Sequence, residues 1–214
     1  GDWNQRSSVK RNDEIGLLAD SFNRMADELS SVYRSLETRG EERTQQLRAA
    51  AEVAQFATSA QTIEDLFKRT VDLIIERFNY YYISIFLIDE TGQYAVLKEG
   101  SGNAGKKLKA ENYRLPVGSQ SIVGWVSAHR QSKVVSDVEE DPQYMKVEIL
   151  SETQSEAGIP ILFGNEILGV LDVQSNERNA FDAENIIVLQ TLANQISSAI
   201  RNTNLLQSAE TDLQ

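Results

Sequence analysis

The sequence contains no cysteine, which excludes disulfides, thiolate metal sites and thioether-attached cofactors within it and suits a reducing compartment. Histidine occurs once, at His129, with no Ser or Cys at a motif spacing from it, so no nucleophile–base pair can be built around it. Apolar runs are short, and none approaches the ~18 residues needed to span a bilayer. Positive charge is scarce: 21 Lys and Arg against 32 Asp and Glu leave a net charge of -11. Phosphate binding needs a clustered basic surface, so nucleic acid is not an expected partner. Neither a metal nor a cofactor is expected.

The 214 residues suffice for one good core plus an extension, or for two small domains. The chain is organised around the stretch from Ile159 to Leu206. An apolar run, Ile159 to Phe163, meets a second, Ile167 to Ser175, at Gly164-Asn165, where both residues tolerate positive φ; this predicts a tight hairpin. Asp182 is placed to cap the helix that follows, with Glu184 in its first turn. At about 100° per residue the apolar positions of that helix cover an arc of roughly 160°, wider than one sheet contact needs. Leu189, Leu192, Ile196, Ala199, Thr203, Leu206 and Leu213 are also spaced like a heptad seam. The helix is therefore expected to have two partners, its own sheet and a second copy of itself.

A second seam lies at the other end of the chain. After Asp13, a candidate cap, the residues Ile15, Leu18, Phe22, Met25, Leu29, Val32 and Leu36 recur in a 3-4-3-4-3-4 spacing. So narrow an apolar stripe predicts a coiled-coil helix that needs a partner. The seam breaks between Thr38 and Gln46 and resumes at Leu47, Ala50, Ala54 and Ala57. The step from Leu36 to Leu47 is eleven residues, a stutter that locally unwinds a left-handed coil. A continuous helix with a soft joint at Gly40 is expected, since a helical Gly costs ~1 kcal/mol relative to Ala.

Between these ends the pattern gives a helix from Thr62 to Phe78, strands at 82–89 and 94–98, and a Gly/Lys loop at 100–109. A strand at 112–117, a short helix from Ser121 to His129, a strand at 133–137 and an irregular acidic segment at 139–158 follow. Hairpins on one sheet with helices at both ends and in the crossover make this an α+β domain.

Two resemblances emerge. Gly1-Asp2, Asp13-Glu14-Ile15-Gly16 and Phe22-Asn23-Arg24-Met25 resemble the second half of a HAMP domain, the parallel four-helix relay beside the membrane in bacterial sensors. The first HAMP helix is absent, so a fragment of a larger protein is expected. Ser121-Ile122-Val123-Gly124-Trp125-Val126, the Val134-Val135-Ser136-Asp137 strand, Asp141-Pro142, the Ile159–Ser175 hairpin, Phe181-Asp182 and the final helix resemble, in that order, a GAF domain. This is the small-molecule sensor fold of bacterial signalling proteins and cyclic-nucleotide-regulated enzymes. The resemblance implies a GAF-like antiparallel sheet flanked by helices, with a long N-terminal coiled-coil helix and a long C-terminal helix. The implied boundaries are a HAMP half at 1–38, a helical linker at 39–55, a GAF domain at 56–206 and an exit coiled coil from 207 to 214.

Several motif-like spacings fail on inspection. Gly100-x-x-x-x-Gly105-Lys106 approximates a P-loop, but Lys107 stands where the magnesium-binding Ser or Thr belongs. Gly100, Gly102 and Gly105 fit the dinucleotide spacing without a βαβ unit around them. Asp137, Glu139, Asp141 and Glu148 fit a calcium-loop template whose turn glycine is replaced by Pro142. Asn179-Ala180-Phe181-Asp182 only partly resembles the signature of cyclic-nucleotide GAF domains and lacks its lysine.

By the GAF resemblance, Tyr113, Ser121, Ile122, Trp125, Asp137, Tyr144 and Ile161 would line a ligand pocket, with plain core the rival reading for Trp125. The expected dimer seam is Ile15, Leu18, Phe22, Met25, Leu29, Val32, Leu36, Leu47, Leu192, Ala199 and Leu206. The whole is expected to be a non-catalytic sensory relay, a parallel homodimer in the cytoplasmic part of an inner-membrane sensor. An unidentified small molecule is a possible ligand. Transmembrane helices are expected upstream and an output domain, a histidine kinase, downstream. The alternative is a ligand-free GAF domain acting as a dimerisation spacer.

Overall fold

The computed structural model describes residues 7, 8, 11, 13–59 and 62–211, and side chains within these except at 37–39, 41–59 and 204–211. Gly1, Asp2 and Leu213 of the sequence patterns lie outside the described residues, as do the side chains of Leu47, Ala50, Ala54, Ala57 and Leu206. The chain divides into two compact units, Gly1–Gln46 and Leu47–Gln214. Among the described residues no helix is long and apolar enough to cross a membrane.

The first unit holds most of α1 (Glu14–Ser59), which continues through the interrupted stretch at 38–46. Asp13 caps it: Oδ1 accepts from the backbone N–H groups of Ile15 at 3.2 Å and Gly16 at 3.3 Å. Asn23 exchanges two hydrogen bonds with the backbone of Ser7, at 2.8 and 3.0 Å. Gly16 is required because a Cβ there would overlap the Arg11 carbonyl. The seam from Ile15 to Leu36 forms an exposed stripe, between 50% exposed at Phe22 and 69% at Leu18.

In the second unit, α2 (Ile63–Phe78) begins at Thr62, whose Oγ1 accepts from Asp65 N at 3.1 Å. Then come β1 (Tyr82–Ile88), β2 (Tyr94–Gly100), α3 (Gly102–Ala110), β3 (Arg114–Pro116), α4 (Ile122–His129) and β4 (Lys133–Val135). After a single 3-10 turn at Glu148–Leu150 follow β5 (Ser155–Phe163), β6 (Glu166–Ser175) and α5 (Ala183–Thr211). One antiparallel sheet has the order β3-β2-β1-β6-β5-β4. The β5–β6 turn sits at Gly164 with φ 58°, as the Gly-Asn signal requires.

Alternation of side chains gives the sheet two dissimilar faces. Ile83, Ile85, Ala157, Ile159, Ile161, Leu171 and Val173 form one core with α2 and α5. Tyr82, Phe86 and Val170 point the other way, into a second core with α3, α4 and the segment before β5. α4 lies directly on β5: a Cβ on Gly158 would approach Val126 Cγ2 to 2.8 Å and Ile122 Cγ2 to 2.9 Å.

Two expectations need correction. The 100–109 stretch is not a loop but contains α3, seated so closely on the end of β2 that a Cβ on Gly105 would overlap the Gly100 carbonyl. Leu192 and Ala199 are not available to a second copy, because both are fully buried against the chain's own sheet. The arc on α5 is consumed there: β5 starts at Ser155, earlier than the apolar run at Ile159, and supplies more covering surface. Exposing Leu192 to meet another helix would forfeit roughly 1.5–3 kcal/mol of burial.

Candidate functional site

Three strands place polar side chains on the face covered by α4, and pairing decides which ones meet. Ser84 on β1 lies opposite Asp172 on β6, Asp172 lies opposite Gly158 on β5, and Glu156 lies opposite Gln174. Asp172 and Glu156 are therefore diagonal neighbours on adjacent strands, within reach of each other. Both are almost fully buried, at 2% and 5% exposure. Asp172 Oδ2 accepts from Ser84 Oγ at 2.9 Å and from Gln174 Nε2 at 3.0 Å. The Thr153 hydroxyl donates to Gln174 Oε1 at 2.7 Å, which fixes the amide's orientation. Asp172 Oδ1 has no hydrogen-bond partner, and the Tyr82 hydroxyl in the same lining has none either.

Burial, then the charge of Asp172, raises the Glu156 carboxyl far above the usual carboxylate range. Burial also raises Asp172, but the hydrogen bonds it accepts from Glu156, Gln174 and Ser84 oppose the shift. Of the two, Glu156 is pushed the more strongly towards its protonated form, while the hydrogen bonds to Asp172 favour its ionised form. The surroundings respond: the Tyr113 hydroxyl is pushed up to about 12, by burial first and then by Asp172 and Glu156.

These acids floor a narrow cavity of about 30 Å³ whose walls include Tyr82, Phe86, Tyr113, Ile122 and Tyr144. That is room for a water or two, far below the about 300–1,000 Å³ of small-molecule pockets. The segment 139–151 closes it with Tyr144, Met145, Val147 and Leu150. Gln120 Nε2 donating to the Pro142 carbonyl at 2.7 Å and a Lys133–Asp141 ion pair at 3.1 Å hold that segment down.

Of the residues proposed for the pocket from sequence, the structure gathers Tyr113, Ser121, Ile122 and Tyr144 around this cavity. Ser121 also caps α4, its Oγ accepting from Gly124 N at 2.9 Å. Trp125, Asp137 and Ile161 lie elsewhere, and for them the expectation is corrected. Trp125 is half-buried and stacks on His129, ring centroids 4.1 Å apart, with the Lys133 ammonium 5.5 Å above it. The α4 residues over the sheet are instead Ile122 and Val126. Asp137 pairs with Arg178 at 3.1 Å beside a separate surface cleft. Ile161 is on the opposite face of β5, in the core with α5. Sequence reasoning missed Glu156, Asp172, Ser84 and Gln174. The available signal was an acid inside each of two apolar strands, in Ser-Glu-Ala-Gly and Val-Leu-Asp-Val.

Comparison with known proteins agrees with this architecture. A GAF domain family model matches residues 60–201 and a HAMP domain model matches residues 1–31. GAF domain-containing protein A of Dictyostelium discoideum is 25% identical over 107 residues, half of this chain; the match spans 61% of that protein's length. The GAF domain of a phosphoenolpyruvate-protein phosphotransferase from Coxiella burnetii superposes with a TM-score of 0.69 at 24% identity, covering 77% of this chain and 98% of that one. Free methionine-R-sulfoxide reductase from Neisseria meningitidis, in complex with its substrate, superposes at 0.66 with 20% identity, covering 75% and 91%. At such identities these structures share the fold. With its antiparallel sheet, its covering helices and the family match over residues 60–201, the chain belongs to the GAF domain family, carries a HAMP sequence at its N-terminus, and is a signalling module.

Proposed function

We propose that this chain is the relay stage of a membrane-linked sensor, a parallel homodimer that passes a change in the GAF cavity, or in the HAMP helix, to an output domain of histidine kinase type. The observation that carries the proposal is the seam on α1, seven large apolar side chains at heptad spacing, each at least half exposed. Such a stripe is unstable in water unless another helix covers it, and a second copy in register supplies the same spacing. The coupling required is only ~1–3 kcal/mol. The division of labour follows the sequence boundaries: HAMP half at 1–38, helical linker at 39–55, GAF domain at 56–206 and exit helix beyond.

No catalytic residue is proposed. The free methionine-R-sulfoxide reductase activity named for one structural relative is not carried over to this chain. The narrowness of the cavity favours a second reading, the ligand-free dimerisation spacer. Sedimentation at micromolar concentration is expected to give dimers, and Leu29→Glu monomers. Monomer throughout, or a dimer indifferent to Leu29→Glu, would refute the relay. Native mass spectrometry that finds the dimer but no retained small molecule, with no thermal shift across a ligand library, would leave the spacer.

A further inference from the structure

We infer that the space between the β1–β6–β5 face and α4 is a hydration site, holding one ordered water that accepts from the Tyr82 hydroxyl and donates to Asp172 Oδ1. This goes beyond the proposed relay and holds whether or not the chain dimerises. Strand register lays out the site. Tyr82 lies opposite Gln174, and Gln174 opposite Glu156; in the next row Ser84 lies opposite Asp172, and Asp172 opposite Gly158. The polar side chains therefore share one patch of the face. Gly158 leaves the remaining place to α4, whose Ile122 and Val126 press there.

Much of the hydrogen-bonding capacity of the patch is used within it. Ser84 Oγ and Gln174 Nε2 both donate to Asp172 Oδ2, and the Thr153 hydroxyl donates to Gln174 Oε1. Two atoms are left over, Asp172 Oδ1 and the Tyr82 hydroxyl, on residues 2% and 3% exposed. They are complementary, since the hydroxyl can donate and the carboxylate oxygen accepts, yet they are not bonded to each other. Buried polar atoms without partners are rare in folded proteins, and an ordered water is the usual remedy. The space lined by both residues is about 30 Å³, room for a water or two. Available partners decide for one. A buried water makes about three hydrogen bonds, and the Tyr82 hydroxyl, Asp172 Oδ1 and the Glu156 carboxyl supply them. A second water would be left with Phe86, Leu108, Leu115 and Val123, which offer it nothing. A metal ion fits poorly: two carboxylates fall short of the about six to eight oxygens calcium takes, and the described residues contain no cluster of three metal-ligating side chains. The water thus completes a polar row in the core and joins β1 to β6 where Tyr82 and Asp172 do not meet.

The test is a crystal structure of the full chain, read at the gap between Tyr82 and Asp172, together with urea denaturation of Tyr82→Phe, Asp172→Asn and the double variant. Density for a single water is expected within about 2.6–3.1 Å of both Tyr82 Oη and Asp172 Oδ1. Tyr82→Phe is expected to lower the folding equilibrium constant about fivefold. The double variant should lose at least about fivefold less than the product of the two single losses, because one bridge can be broken only once. A dry gap, a direct hydrogen bond between Tyr82 and Asp172, or single losses that multiply in full would each overturn the inference. Density ringed by about six oxygens at about 2.3–2.6 Å would overturn it too, in favour of a cation. Should Asp172→Asn fail to fold, the density in the unsubstituted chain decides alone.

Discussion

Replacing Glu156 by Gln should make the domain more stable as pH rises, the reverse of what loss of an acid usually does. In the folded chain Glu156 keeps its proton because burial and the Asp172 charge oppose ionisation. In the unfolded chain a glutamate releases it near 4.3. Between those two values the folded state binds one proton more than the unfolded state. Stability contributed by protonated Glu156 is complete below the unfolded value and is lost as pH climbs towards the folded one, at about 1.4 kcal/mol per pH unit. Gln has the same shape, carries no charge and offers an N–H to Asp172 Oδ1, so it does not take part in that loss. Urea denaturation of both proteins from pH 5 to 8, followed by the half-buried Trp125, reads the effect of the pair, because titrating groups away from it cancel in the difference. Each pH unit within that window is a noticeable part of the 5–15 kcal/mol typical of a domain. The advantage of Glu156→Gln should therefore grow with pH across this window. A gap that is constant, or that widens on acidification, would refute the raised affinity of folded Glu156 for its proton.

Two glycines should respond in opposite directions. Gly105→Ala places a methyl into the Gly100 carbonyl and forces α3 off the end of β2, with an expected loss of about 1–3 kcal/mol by urea denaturation. The exposed Lys109–Glu99 pair between the same elements is too weak to hold them. Gly40→Ala meets nothing within 4 Å and lies in helical backbone, so the melting of α1 by circular dichroism should shift upward by the equivalent of about 0.5–1 kcal/mol.

What could be read from the sequence was what the chain decides locally. The caps at Asp13 and Asp182, the helix starts at Thr62 and Ser121 and the turn at Gly164 each depend on a few neighbouring residues, and the structure has them, with Thr62 and Ser121 themselves serving as caps. The acid pair depends instead on register. A one-residue slip of β5 against β6 would send Glu156 to the opposite face, and nothing in either strand alone reveals their meeting. The glycines of α3 misled for a related reason. Gly102 and Gly105 argue for a loop by propensity, yet the close approach to Gly100 is possible only without a Cβ, so the tertiary contact prevails. On α5 the apolar arc was measured correctly but assigned to too many partners, because the reach of β5 back to Ser155 was not visible in the pattern of Ile159 to Phe163.

β5 is the element on which sensing and relay would converge. Its Glu156 faces the cavity, while Ile159 and Ile161 are packed in the core with α5. The strand is fastened to that helix from the other side: Ser197 Oγ donates to the Leu162 carbonyl at 2.6 Å and Gln190 Nε2 to that of Pro160 at 3.4 Å. A close-packed core transmits displacement rather than absorbing it. A displacement of Glu156 would therefore reach α5 through one strand, with no need for a longer path. The same geometry implies a limit. Because Leu192 and Ala199 are fixed in that core, neither is free to meet a second helix; among the described side chains the exposed large apolar ones are those of the α1 seam and, on α5, Ile187.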